Sequence, residues 1–572
     1  MLKRIAIVVV SACALLGAVG CGGDDDDAAN GGGGYTYYTS SGGSSSKSGG
    51  SGGTGAASAL PPVYTSTGGT GTGGAGGTTT SGTGGNAAAG TGGSSVQATP
   101  PATNPFVLAA HDPLSTFAAD TDTASYDIFR GQIEGGALPN KTSVRLEDFV
   151  NYFDYDYPAP AGDSDVPFSM SLAAAPSLYD TGTLLFRVGI QGKLAPAERG
   201  PANLVFLIDV SGSMAAENKL PLVQVVLDEA LDVLQPTDEI SIVTYAGSTM
   251  VALEPTPLSE KATIRAVIDG LHAGGSTAGA SGIDLAYTQA ESAFVAGGIN
   301  HIVMCTDGDF NVGASSDQAL LDLITQKRQS GITLTTLGFG TGDLNDSMME
   351  KVSDAGNGMY SVITSEDEAV KYAHDQLLST MLHIAKDMKI QVEFNPDQVL
   401  AYRLLGYEDR AIADNQFTND AIDAGEVGAG HRVTALYEIV PAGGVVPAPA
   451  GAPALEDGSA YTGELDVVAT DLAIVKVRYK QPGAAATDDA TEVDASFAMS
   501  DVSTSRDDLD ADFRWAAGVA TFAEILKGSP FASRSQLAEI DSIISTDPGN
   551  TTGDKSEFVT LFAKARQLLG TK

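Results

Sequence analysis

Five oxygen-bearing residues fall where one divalent cation could collect them: Asp209, Ser211 and Ser213 in LVFLIDVSGSM, Thr277 in AGGSTAGASGI, and Asp307 in IVMCTDGDFNVG. Carboxylates and hydroxyls, without thiolate or imidazole, suit a hard ion such as Mg2+, which takes oxygen ligands in near-octahedral geometry and keeps several of its waters. Mn2+ and Ca2+ stay open as alternatives. Taken singly, the pieces are weak signals, since DxSxS and TDG both recur in ordinary turns. Their weight comes from their order along the chain and from the positions the surrounding elements assign them. Asp309 either orients its loop and adds charge nearby or is a solvated turn residue.

Those elements alternate. LVFLIDV (204–210) is a continuous apolar run, as in a strand buried on both faces. KLPLVQVVLDEALDVL (219–234) has helical spacing and is closed by Pro236. EISIVTYA, MVALEP, HIVMCT, ITLTTLGFG and MYSVIT read as further strands. Helices are predicted near 261–271, 283–294, 320–329, 348–352 and 366–382. This alternation predicts a doubly wound α/β domain over 201–384, its sheet mostly parallel and covered on both faces. In such sheets ligands bind beyond the carboxyl ends of the strands, where strand order reverses. Asp209, Ser211 and Ser213 follow the first central strand, Asp307 follows the fourth, and Thr277 lies in a Gly-rich loop ahead of a helix.

The flanks have a different pattern. PFSMSLAAA and LLFRVGIQG before the centre, and MKIQVEF, HRVTALYEIV and LAIVKVRY after it, alternate as antiparallel strands do. The expectation is one antiparallel β domain built from both flanks (106–200 and 385–507), with the α/β domain inserted; two separate small sheets are the alternative. RWAAGVATFAEILKG and SEFVTLFAKARQLL have amphipathic spacing and make 508–572 a helical C-terminal segment.

At the N-terminus, Lys3 and Arg4 precede an apolar run from Ile5 to Val19, too short for a bilayer core that needs about 20 residues. Ala18 and Gly20 ahead of Cys21 resemble a bacterial lipobox, which would make 1–21 a lipoprotein signal and Cys21 the lipidated residue. An ordinary cleaved signal is the competing reading. Residues 22–105 are an Asp run followed by Gly, Ser, Thr and Ala, a composition that cannot offset its chain entropy by burial. As a flexible tether this length reaches on the order of 50 Å. The chain is therefore expected in a bacterial cell envelope, held to a membrane by N-terminal lipid and facing periplasm or exterior. With 32 Lys and Arg against 71 Asp and Glu the net charge is −39, and no basic patch is present, which excludes a nucleic-acid partner. Cys305, inside an apolar run, reads as a buried structural thiol.

The Asp209, Ser211, Ser213, Thr277 and Asp307 set resembles the metal-ion-dependent adhesion site of von Willebrand factor A (vWA) domains, and Thr277 precedes Gly282 by five residues, as in that family's threonine loop. The resemblance extends from about Pro113 to Gly528. PLSTFAADTDTASYDIFRGQIEGGALP and VRLEDFVNYFDYDYP resemble the N-terminal region of a bacterial vWA subfamily. NLVFLIDVSGSM, GGSTAGASGIDLAY and GINHIVMCTDGDFNVG look like its central, Rossmann-like domain, and KIQVEFNPDQVLAYRLLGYEDRAI looks like its C-terminal domain. The resemblance implies that the serines and threonine offer neutral hydroxyls directly while the aspartates act largely through water. Few anionic groups then touch the metal, which remains electrophilic and takes an Asp or Glu side chain from outside.

The implied function is a lipid-anchored, metal-dependent protein-binding module whose partner is a protein or surface polymer offering a carboxylate. A scaffold or assembly subunit of an envelope complex is one rival. A metal-dependent hydrolase is another, but from Phe106 onward there is no HExxH, GxSxG, GxxxxGK[ST] or Cys/His cluster, and no enzymatic role is expected. His272 and His301 flank the motifs and read as structural.

Overall fold

The computed structural model describes residues 5–6 and 103–570, apart from 120–121, 163, 197–198, 277–278, 309–316, 341–343, 423, 485–487 and 552. The N-terminal flank comprises β1 (Ile5–Ala6), β2 (Val107–Leu108), β3 (Leu114–Ala118), helices α1 (Ala124–Glu134) and α2 (Leu146–Asn151), β4 (Phe168–Pro176) and β5 (Leu184–Gly192). The central domain follows as β6 (Ala202–Asp209), α3 (Leu220–Val233), β7 (Glu239–Tyr245), β8 (Thr249–Pro257), α4 (Lys261–Asp269) and α5 (Gly279–Ser292). It continues with β9 (Ile299–Thr306), α6 (Asp317–Lys327), β10 (Thr333–Phe339), α7 (Asp346–Ala355), β11 (Tyr360–Ile363) and α8 (Glu366–Lys371). A π turn at Tyr372–Gln376 joins α8 to α9 (Leu377–Met381).

The central strands lie in the order β11-β10-β9-β6-β7-β8, and only the β7/β8 pair is antiparallel. All eight residues of β6 are buried, because alternate side chains serve opposite faces. Leu204, Phe206 and Ile208 pack with Val223, Val226 and Leu227 of α3, whereas Val205 and Leu207 pack with Ala286 and Tyr287 of α5. Chain order runs outward from β6 in both directions, so the crevice at its carboxyl end is the topological switch point.

The C-terminal flank holds β12 (His383–Phe394), β13 (Val399–Leu405), β14 (Gly425–Gly428), β15 (Arg432–Pro441), β16 (Asp471–Lys480) and β17 (Thr491–Ala498). Three helices close the chain: α10 (Ala511–Lys527), α11 (Leu537–Thr546) and α12 (Gly553–Gly570). One sheet has the order β1-β17-β16-β12-β14, with β3 also paired to β12; the other is β2-β13-β15-β5-β4. Each draws strands from both flanks, with β3 beside β12 and β5 beside β15. Their facing sides share one core, in which Phe168, Met170 and Val188 meet Met388, Ile390 and Val392. The α/β domain is thus inserted between strands of a two-sheet sandwich, more layered than the single antiparallel unit expected. β1 lies within the stretch read as an export signal and pairs in parallel with β17.

The C-terminal helices pack on α1 and α2. Trp515, Phe153 and Phe558 meet edge to face at 5.3 and 5.4 Å between ring centres, a geometry favoured by the ring quadrupoles. α10 is also tied to the sandwich by a wholly buried cation: Arg403 of β13 bonds Glu438 of β15 at 2.8 Å and Glu524 of α10 at 3.2 Å.

Candidate metal centre

Backbone bonds bring three loops to the carboxyl end of β6. Val210 N–H donates to the Tyr245 carbonyl at 3.0 Å, Gly274 N–H to the Val210 carbonyl at 2.7 Å, and Gly212 N–H to the Gly275 carbonyl at 3.0 Å. The serine loop therefore lies along the Gly-rich loop that leads to Thr277. Thr277 itself, and Asp309, lie outside the described residues.

Asp209 is completely buried. Its Oδ1 accepts the Ser211 N–H at 2.8 Å, and its Oδ2 accepts the Thr306 hydroxyl at 3.2 Å. This orients the carboxylate between the ends of β6 and β9. The Ser211 and Ser213 hydroxyl oxygens stand 2.9 Å apart across the short 3-10 turn Gly212–Ala215, which is anchored by buried Met214. Thr306 Oγ1 in turn accepts the Gly308 N–H at 3.2 Å, which shapes the turn carrying Asp307. Gly308 has φ +84°, and a Cβ there would stand 2.6 Å from the Asn345 nitrogen, so the turn admits only glycine without rearrangement. Asp307 is buried too, and its Oδ2 accepts from Lys219 Nζ at 2.8 Å.

Burial pushes the Asp209 carboxyl above its usual range; the Ser211 N–H counteracts this and the charge of Asp307 adds to it. Burial likewise holds the Tyr245 phenol well above its ordinary value, with Asp209 contributing. The rim therefore concentrates negative charge where solvent offers little screening, an arrangement that favours a cation.

Four of the five residues singled out by pattern thus meet at one rim: Asp209, Ser211, Ser213 and Asp307. Two carboxylates and two hydroxyls are an all-oxygen donor set of the kind hard divalent ions take. Among the described residues no group of three or more His, Cys, Asp or Glu side chains is placed to hold a metal, so hydroxyls would have to share the coordination here. His301 lies at the far end of β9 from Asp307, fully buried, with Nδ1 2.6 Å from Thr333 Oγ1. Burial pushes it down to about 3, which keeps it neutral. Cys305 is a free buried thiol whose burial raises it far above its usual value, and it is unsuited to nucleophilic work. His272 is exposed beyond the end of α4. Sequence reasoning passed over Thr306 and Lys219. The signal for Lys219 was present: a lysine directly ahead of a helix is electrostatically disfavoured there.

Residues 203–376 match the von Willebrand factor type A domain family, residues 97–187 the family described as von Willebrand factor, and residues 379–568 the family described as uncharacterized protein YfbK, C-terminal. The chain is 36% identical over 473 residues to the uncharacterized protein YfbK of Escherichia coli K12, covering 81% of this chain and 80% of that protein. It is 25% identical over 183 residues to human inter-alpha-trypsin inhibitor heavy chain H4, covering 31% of this chain and 20% of that one. Among solved structures, a von Willebrand factor type A protein from Catenulispora acidiphila aligns with 16% identity and a TM-score of 0.37 over 72% of this chain and 97% of that chain.

Proposed function

Because the chain belongs to the family of YfbK-like proteins that carry a von Willebrand factor type A domain, we propose that it is a metal-dependent protein-binding module of the cell envelope. vWA domains generally mediate metal-dependent protein interactions. The observation that carries the reading is the convergence of a buried Asp209, the paired Ser211 and Ser213 hydroxyls and a buried Asp307 at the switch point of the central sheet. In this reading Asp209, Ser211, Ser213 and Asp307, with Thr277 from the adjoining loop, hold the ion, and Mg2+ is its identity. When bound, the cation supplies an open coordination position that attracts a carboxylate oxygen. The residues themselves do the positioning: Thr306 and the Ser211 N–H fix the Asp209 carboxylate, and the Gly308 turn sets the height of Asp307.

The partner proposed is a protein or surface polymer that presents an acidic side chain. Lipidation at Cys21 anchors the chain to a membrane, facing periplasm or exterior, and residues 22–105 serve as the tether that gives the binding domain its reach. These last elements rest on sequence pattern alone. The test is capture from native membranes with Mg2+ and with chelator. A partner retained by the unaltered chain only with Mg2+, and lost by Asp209→Ala, supports the reading. Capture indifferent to both refutes it.

A further inference from the structure

Lys219 stands immediately before α3, yet its side chain does not serve that helix. A cation at a helix N-terminus opposes the macrodipole, and α3 has no acidic residue in its first turn to offset it. The ammonium instead reaches across the rim to Asp307 Oδ2, 2.8 Å away, at the end of a different strand. Its stem has a prepared path. Gly340, just beyond β10, has φ +105°, and a Cβ there would stand 3.0 Å from Lys219 Cε and 3.4 Å from Cγ. Three separate elements therefore contribute to placing one positive charge on Asp307.

The two ends of this pair differ in freedom. The Asp307 side chain is 4% exposed, whereas that of Lys219 is 23% exposed and carried on a flexible four-carbon stem. The lysine can swing into solvent; the aspartate cannot. Where two buried carboxylates converge, each charge raises the cost of the other, and a mobile ammonium offsets that cost without closing the site permanently.

We infer that Lys219 is an internal counter-cation that competes with the divalent ion for Asp307, so that the metal-free site is held by an ion pair and loading requires the ammonium to withdraw. The inference rests on the metal reading of the rim and adds the residue that sets its affinity. By linkage, whatever factor the lysine costs the metal, the metal costs the lysine. Metal occupancy then controls whether a positive side chain lies across the rim or points outward, which alters the surface a partner meets.

The test uses the full chain, stripped of metal, and its Lys219→Met and Lys219→Gln variants. Mn2+ affinity is measured by calorimetric titration, and melting temperature is measured with and without saturating Mn2+. The expected result is Mn2+ binding about tenfold tighter in both variants, with a lower metal-free melting temperature and a difference from the unaltered chain that shrinks when Mn2+ is saturating. A variant folded only with Mn2+ supports the inference as well. Unchanged or weaker Mn2+ binding in the variants, or variants unfolded with and without the ion, overturns it and makes Lys219 a support for Asp307. Failure of the unaltered chain to bind Mn2+ at all overturns the metal reading of the rim, and this inference with it.

Discussion

Gly308→Ala is the sharpest test of how Asp307 is held. Gly308 sits at φ +84°, and an added Cβ would stand 2.6 Å from the Asn345 nitrogen and 3.1 Å from the Leu344 Cα. The left-handed backbone alone costs an L-residue about 1–2 kcal/mol. The contact is with backbone on the other side, which cannot turn aside as a flexible side chain would, and overpacking of this kind adds about 1–3 kcal/mol. The substitution is therefore expected to destabilise by about 2–5 kcal/mol, read as a fall in the urea midpoint. Relief of the clash displaces the turn, and Asp307 moves with it, so Mn2+ affinity should drop about 10–100-fold, as it does when groups that orient metal ligands are lost. Gly443→Ala is the control. It has φ +81° with no neighbour within 4 Å of a Cβ, so it should lose about 1–2 kcal/mol and leave Mn2+ binding intact. A Gly308→Ala protein with the unaltered midpoint and affinity would show that the turn yields freely and does not position Asp307.

Saturating Mg2+ should raise the melting temperature and chelation should lower it, because binding at 100 times Kd stabilises by about 2.7 kcal/mol; Asp307→Asn should lose that response. Arg403→Met should destabilise by about 3–5 kcal/mol in urea, since it strands Glu438 and Glu524, each 1% exposed, beside an apolar side chain. The triple variant with Glu438→Gln and Glu524→Gln should recover most of that loss, and no recovery would mean that packing, not charge, is at stake. Acid should weaken the fold in a defined window. Burial pushes His301 down to about 3 and His383 and His431 to about 4, so at these three positions the folded form binds fewer protons than the unfolded chain once pH drops below about 6.5. Their contribution is complete above that pH and is lost toward pH 4, at up to about 1.4 kcal/mol per pH unit for each. Asp127 and Asp414, which burial pushes up to about 7 and about 6, act in the opposite sense over that range, as do the buried carboxyls of Asp209, Glu408 and Glu438, which burial also raises. The fully buried His301 is separable by substitution: a His301→Gln variant should lose less of its urea midpoint between pH 6.5 and 4.5 than the unaltered chain, and an equal loss in both would contradict neutral burial of His301.

The central domain was legible because its signals are local. The run at 204–210 became β6 over Ala202–Asp209, the helix expected at 219–234 became α3, and the segment at 366–382 became α8, the π turn and α9. Apolar periodicity reports which face of an element is buried, and that depends on near neighbours in the chain. α11 lies inside the 508–572 segment read as helical without a run of its own to mark it, and α1 and α2 had no helical reading of their own although their segments resembled the family. Their apolar residues face one another in an aromatic cluster drawn from both chain ends, with Tyr126, Phe153, Trp515 and Phe558 among its members. β13 and β17 also went unread as strands.

What the chain's residues determined unaided was the identity of the elements around the rim and the oxygen-rich positions at their ends. A strand that stops at Asp209 and another that stops before Asp307 must bring those groups to the same end of a parallel sheet. Which strands of the flanks pair was decided only in three dimensions, as with Ile390 beside Phe117 and Val188 beside Ala435. Alternation names a strand's buried face but not its partner, and the partner is chosen by packing between segments hundreds of residues apart. The same holds for Lys219. Its sequence position marks it as misplaced for its helix, and only the approach of β9 and β10 to α3 shows the buried carboxylate that its charge serves.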